Sequence, residues 1–170
     1  MGTLAVSHEY DCTGATLFTS CILNRAYNEE LYGSLGFPRF EWLELRDEGT
    51  KRHRKIRVAP PTGNLPGTIK KLIGDGLSYV EEGTYDPATT RYEFRVYPSA
   101  LGEKADVRGA MWCVPRGSGC VRHASFDAHV RVFGIGGMIE ERILASYKKA
   151  FDVSATFTKA YLQRNGLTGQ

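Results

Sequence analysis

The stretch 134–165, GIGGMIEERILASYKKAFDVSATFTKAYLQRN, decides the fold. Ile135, Ile139, Ile143, Tyr147, Phe151, Ser154, Thr158 and Tyr161 recur at intervals of three and four, which lines one face of an α-helix. The pattern predicts a helix of roughly 30 residues, about 45 Å long at 1.5 Å per residue. A stripe of that length needs a broad apolar partner. Gly134, Gly136 and Gly137 do not make a dinucleotide-binding loop, because the third glycine position is Ile139 and no strand follows the helix. They mark a tight strand-to-helix corner.

The partner surface lies upstream. Period-two alternation and turn residues predict strands at Gly119–Val132, Val107–Val114, Arg91–Tyr97 and Leu77–Tyr85, joined at Pro115–Gly119 and at Asp86-Pro87-Ala88. Phe40–Leu45 and Arg52–Val58 read as a hairpin around Asp47-Glu48-Gly49. Between Pro60 and Gly76, prolines and glycines punctuate a segment whose middle, Leu65–Ile73, has the pattern of a short amphipathic helical turn. Near the start, Leu4, Val6, His8 and Tyr10 alternate with Ala5, Ser7, Glu9 and Asp11 as in a half-buried strand. Thr13 then stands as an N-cap before Leu17, Phe18, Cys21, Ile22, Arg25 and Ala26 at helical spacing, and a second short helix spans Asn28–Leu35 up to Gly36. The expected fold class is α+β, a seven-stranded antiparallel sheet curved around the long C-terminal helix, with two short helices between strands 1 and 2.

The composition restricts function. The chain has 170 residues, 42% of them hydrophobic, and a chain of this size buries roughly 70% of its unfolded surface without disulfides or metal. One domain, residues 1–170, is expected. A net charge of +3 is too small to argue for nucleic acid, and no nucleic-acid partner is expected. No apolar run approaches the roughly 18 residues of a membrane span; Ala110–Val114 already ends at Pro115 and Arg116. The first residues lack the basic start and apolar centre of a secretory signal, which makes a cytoplasmic location the expectation. Cys12, Cys21, Cys113 and Cys120 contain no C-x-x-C pair and read as reduced, mostly buried thiols. A Cys113–Cys120 bridge across their hairpin stays open.

No motif for a cofactor, a metal or a catalytic constellation is found. His123, Ser125, Asp127 and His129 hold the residue types of a hydrolase triad, but neighbours two apart along a strand are roughly 6–7 Å apart, so the four form a row on a solvated outer face. Lys51, Arg52, His53, Arg54, Lys55 and Arg57, with Lys70 and Lys71 beyond them, are the densest basic cluster. They read as the charged face of a strand, with transient contact to an anionic membrane surface as the functional alternative.

The order strand, two short helices, six strands, long helix resembles the helix-grip fold of the START, polyketide-cyclase and pollen-allergen (SRPBCC) superfamily. Within it the chain is similar to a bacterial START-like family of uncharacterised function. The local features are Leu65-Pro66 leading into Ile69-Lys70-Lys71-Leu72-Ile73-Gly74, and the strand exit Val130–Gly137 leading into Ile139-Glu140. The resemblance implies an apolar cavity between sheet and long helix; members bind lipids, sterols, polyketides or plant hormones, and a minority are cyclases or hydroxylases.

Strand and helix parity places Phe40, Trp42, Ile56, Tyr79, Tyr92, Phe94, Met111, Phe126, Ile139, Ile143 and Tyr147 inward, and these are the candidate ligand-binding residues. The same side chains could fill the interior completely, and sequence leaves both readings open. With a cavity, the expected volume is ~300–1,000 Å³. The expected function is non-catalytic binding or transport of a hydrophobic small molecule, lipid or sterol-like, without a cofactor. The alternatives are an enzyme of the polyketide cyclase type using the same cavity, with His8 and Glu81 as candidate acid or base, and a protein-interaction module with a filled interior.

Overall fold

The computed structural model describes residues 1–74 and 76–169. The apolar-polar runs form β1 (Gly2–Tyr10), β2 (Arg39–Glu48), β3 (Lys51–Ala59), β4 (Tyr79–Asp86), β5 (Arg91–Pro98), β6 (Ala105–Arg116) and β7 (Gly119–Val130), with burial alternating regularly along β5 and β7. They form one antiparallel sheet in the order β1-β7-β6-β5-β4-β3-β2. From β2 to β7 each strand pairs with its successor, through short connections except the long one between β3 and β4, and β1 closes on β7 with Leu4 opposite Phe126. The helix predicted from 134–165 is α4 (Gly136–Arg164), 29 residues long. It packs along β1 and β7, and buries Ile139, Ser154, Ala155, Thr158, Tyr161 and Leu162. None of the helices among the described residues is long and apolar enough to cross a membrane.

The sheet is shaped to accept rings on its concave face. A Cβ on Gly83 would lie 2.2 Å from the Tyr92 ring, and one on Gly109 would lie 2.4 Å from the Phe94 ring. Hydrogen at these two positions lets both aromatics lie against the strands. A register shift between Trp42 and Glu44 bends β2 where it meets β3.

The structure corrects several expected boundaries. The helical spacing over 13–26 is broken into α1 (Gly14–Leu17), one π turn (Phe18–Ile22) and α2 (Arg25–Ser34). Thr13 caps the first, accepting from Thr16 N at 3.2 Å, and Asn24 caps the second, accepting from Tyr27 N at 3.0 Å. The break has a tertiary cause. The π turn directs the Cys21 and Ile22 carbonyls at Asn28 Nδ2 (3.1 and 3.0 Å), and Ile22 O also receives Arg54 Nη1 at 2.7 Å. Strand β6 continues through Pro115 to Arg116, because at the hairpin end Pro115 needs no ladder N–H; the turn shrinks to Gly117-Ser118, with Gly117 at φ 58°. In 60–76 the short helix is α3 (Gly67–Ile73); Asp75 lies outside the described residues. Ile69 of α3 packs with Leu101, Val130 and Ile139, which joins α3 to the start of α4.

Candidate functional site

Two adjoining cavities lie between the concave sheet and α4. The outer one, about 160 Å³, has α3 and the 60–65 segment on one side, Val96 and Val107 on the sheet, and Ile139, Ile143 and Tyr147 on α4. The inner one, about 90 Å³, is bounded by Phe94, Met111 and Phe126 of the sheet, by Leu31, Tyr32 and Leu35 around α2, and by Phe151 and Ser154 of α4. Phe37, Tyr79, Tyr147 and Ala150 border both, so they form the partition. These volumes fall below the expected ~300–1,000 Å³. The reason is aromatic crowding: Phe126 lies 4.1 Å from Tyr147, 5.1 Å from Phe94 and 5.2 Å from Phe151, centroid to centroid.

Of the candidate ligand-binding residues, Tyr79, Phe94, Met111, Phe126, Ile139, Ile143 and Tyr147 line these cavities. Phe40, Trp42, Ile56 and Tyr92 do not. Phe40 is stacked 4.7 Å from Tyr32, which covers it from α2. Trp42 pairs with Ile56 beside the β2 bulge, and Ile56 is fully buried away from both spaces. Tyr92 is buried beneath Arg54, whose guanidinium sits 5.1 Å from the ring centroid.

Two buried arginines were not among the candidates. Both keep step with apolar inward residues, Arg54 with Ile56 and Val58 and Arg122 with Ala124 and Phe126, and that phase is the signal that reveals them. Arg54 donates to the Glu81 carboxylate, to Tyr92 Oη at 3.2 Å, to Ile22 O at 2.7 Å and to Asn28 Oδ1 at 3.1 Å. Tyr92 Oη donates to the same Glu81 oxygen at 3.1 Å. This neutral network forms part of the inner cavity wall. Arg122, 2% exposed, lies between the Tyr10 and Phe151 rings at 5.2 and 4.9 Å and lines the same cavity. In the partition, burial pushes the Tyr79 and Tyr147 phenols well above their ordinary pKa, which keeps both hydroxyls neutral.

The candidate acid or base residues separate. Glu81 borders the inner cavity, whereas His8 lies outside the lining, with Nε2 2.9 Å from Asp152 and Nδ1 3.0 Å from Arg122 Nη2. Burial lowers the His8 pKa below 6.5 and outweighs the opposing pull of Asp152. Between pH 6.5 and that lower value the unfolded chain binds a proton that the folded chain resists, so His8 contributes stability above pH 6.5 and loses it as pH falls. Urea midpoints are therefore expected to drop from pH 7 to pH 5, and to drop less in His8→Gln. Equal slopes would remove His8 from this role.

The other sequence motifs occupy the surface. Ser7 bonds His123 at 2.8 Å and Thr3 bonds Asp127 at 2.9 Å along the outer face of β1 and β7, where the four-residue row lies. On β3, Lys51, Arg52, Lys55 and Arg57 pair with Asp86, Asp47, Glu82 and Glu41, so the basic strand carries its charge as ion pairs. The four cysteines are free and buried. No group of three or more His, Cys, Asp or Glu among the described residues is arranged to hold a metal ion.

A family model described as "Protein of unknown function (DUF2505)" matches residues 5–162. A search of the curated proteins finds no match. Among solved structures the chain is similar to the Zhui aromatase/cyclase from a Streptomyces species, with TM-score 0.63, 12% identity, and 96% of this chain and 94% of that one covered. It is also similar to a START superfamily protein from Mycobacterium smegmatis, with TM-score 0.58, 12% identity and coverage of 95% and 97%. A truncated norcoclaurine synthase from Thalictrum flavum matches with TM-score 0.56, 16% identity and coverage of 88% and 89%. At these identities the likeness carries the fold alone, and that fold is the helix-grip fold of the START/SRPBCC superfamily.

Proposed function

The chain belongs to the DUF2505 family, and on that premise we propose that it binds a hydrophobic small molecule, without transforming it, in the paired cavities between sheet and α4. The observation that carries this reading is the outer cavity, about 160 Å³ and walled almost entirely by apolar side chains. An apolar ligand there sheds its hydration shell against Ile139, Ile143 and Val107, while the Tyr79 and Tyr147 hydroxyls are the polar groups positioned to orient it. A cytoplasmic location is part of the proposal. Transient contact with an anionic membrane falls to Lys70 and Lys71, exposed on α3 beside the outer cavity and unpaired among the described residues, rather than to the ion-paired β3 strand.

Native mass spectrometry of freshly purified protein, followed by a 1-octanol titration, tests the binding. One apolar molecule per chain is expected, and Ala150→Trp, which fills the partition, is expected to weaken octanol binding at least tenfold. Absence of any copurified molecule together with octanol binding indifferent to Ala150→Trp overturns the proposal. A second reading, an enzyme in the same cavity, is favoured by one observation: Glu81 lines the inner cavity, and its Oε2 accepts no hydrogen bond among the described residues. Under that reading Glu81→Gln would abolish consumption of the copurified molecule and leave its binding intact.

A further inference from the structure

Arg122 is a charge without a counter-charge. Arginine stays protonated at every physiological pH, and burying a cation away from water is costly unless an anion compensates it. Arg54, the other buried arginine, has Glu81. Arg122 has no carboxylate within ion-pair distance among the described residues; Asp152 reaches it only through the intervening His8 ring, and Lys148 shares that carboxylate at 2.7 Å. Its guanidinium has five N–H donors, yet only Nη2 has a partner: Nε is buried and unbonded, and Nη1 makes no hydrogen bond among the described residues. The Tyr10 and Phe151 rings hold the guanidinium in place by cation–π contact but accept no proton. It also borders the inner cavity, beside Phe126 and Ser154.

We infer that the inner cavity is the headgroup site for a monoanionic ligand, a carboxylate carried on an apolar chain or ring, with Arg122 as its counter-ion. The inference rests on the cavity-binding reading above and names the ligand class for it. The charge count sets the valence: Arg54 and Glu81 cancel, one positive charge remains, and one negative charge balances it. A dianionic phosphate would leave an uncompensated charge inside. The planar guanidinium suits a two-point contact with a carboxylate. The apolar remainder of the ligand then passes Tyr79 and Tyr147 into the outer cavity, whose walls offer it no charge except Arg142 at the margin.

The competing internal counter-ion is the Cys120 thiol. The neighbouring Cys113 and Cys12 thiols and, beyond them, Arg122 draw its pKa down. A thiolate there would already neutralise Arg122.

The test compares octanoate with 1-octanol, matched in length and differing in charge. Octanoate is expected to bind at least tenfold more tightly at neutral pH. Arg122→Met is expected to erase that preference, and Arg122→Lys to keep part of it. If the variants do not fold, carboxyl-labelled octanoate on the unaltered protein serves instead: its bound carboxyl should titrate below its free value, because Arg122 favours the ionised form. Octanol binding as well as octanoate overturns the headgroup assignment, with Cys120 as the explanation, and leaves the cavity reading in place. Failure of both to bind overturns the cavity reading and this inference together.

Discussion

Glu81→Ala is expected to lower stability by about 3–5 kcal/mol, because it leaves the buried Arg54 guanidinium charged and without its counter-ion. Arg54 is 4% exposed, and Ile22 O, Asn28 Oδ1 and Tyr92 Oη remain around it, but none of these carries the compensating charge. At this chain length each kcal/mol moves the melting temperature by roughly 2–4 °C, so a shift on the order of 10 °C should appear in calorimetry. The double variant Glu81→Leu with Arg54→Met removes both charges and is expected to recover most of the loss. If Glu81→Ala melts within 2 °C of the unaltered protein, the pair is not the electrostatic unit described.

Phe126→Ala is expected to cost about 3–5 kcal/mol, the usual range for deleting a buried ring whose neighbours cannot collapse into the space. Phe126 is 1% exposed and touches rings from β5 and from two turns of α4, so its loss removes contacts to both layers at once. The same change joins the inner cavity to new space and is expected to admit a bulkier ligand. Equilibrium urea unfolding gives the first quantity, and a titration series of lengthening alcohols gives the second. A loss below 1 kcal/mol would mean that the layers repack and that this ring does not set the cavity's size.

The element order was readable because each element carries its own period: the 3–4 spacing of Ile139, Ile143 and Tyr147, and the alternation of Tyr92, Phe94 and Val96. Alternation identifies a face but not what lies over it. Phe40 and Tyr92 are in phase with the cavity residues, yet Tyr32 covers one and the Arg54 network covers the other. Both covers come from partners at least 8 residues and one fold-back away, so no local pattern carries them. The π turn escaped for the same reason, since its carbonyls are held by Asn28 and Arg54 from outside the turn. Arg122 was legible by phase alone; its lack of a counter-charge became apparent only when every neighbouring strand and helix was in place.

The Arg54 anchorage makes the two ends of the molecule mechanically unequal. Pulling α1 and α2 from the sheet tears the Ile22 and Asn28 bonds to a buried cation and strands that cation beside Glu81. Displacing α3 breaks no side-chain hydrogen bond or ion pair among the described residues; Ile69, Leu72 and Ile73 only slide across other hydrocarbon. Thermal opening is therefore expected to concentrate at the α3 wall, and under the proposed binding function a ligand would enter and leave past α3, while the α1–α2 end stays anchored to the sheet.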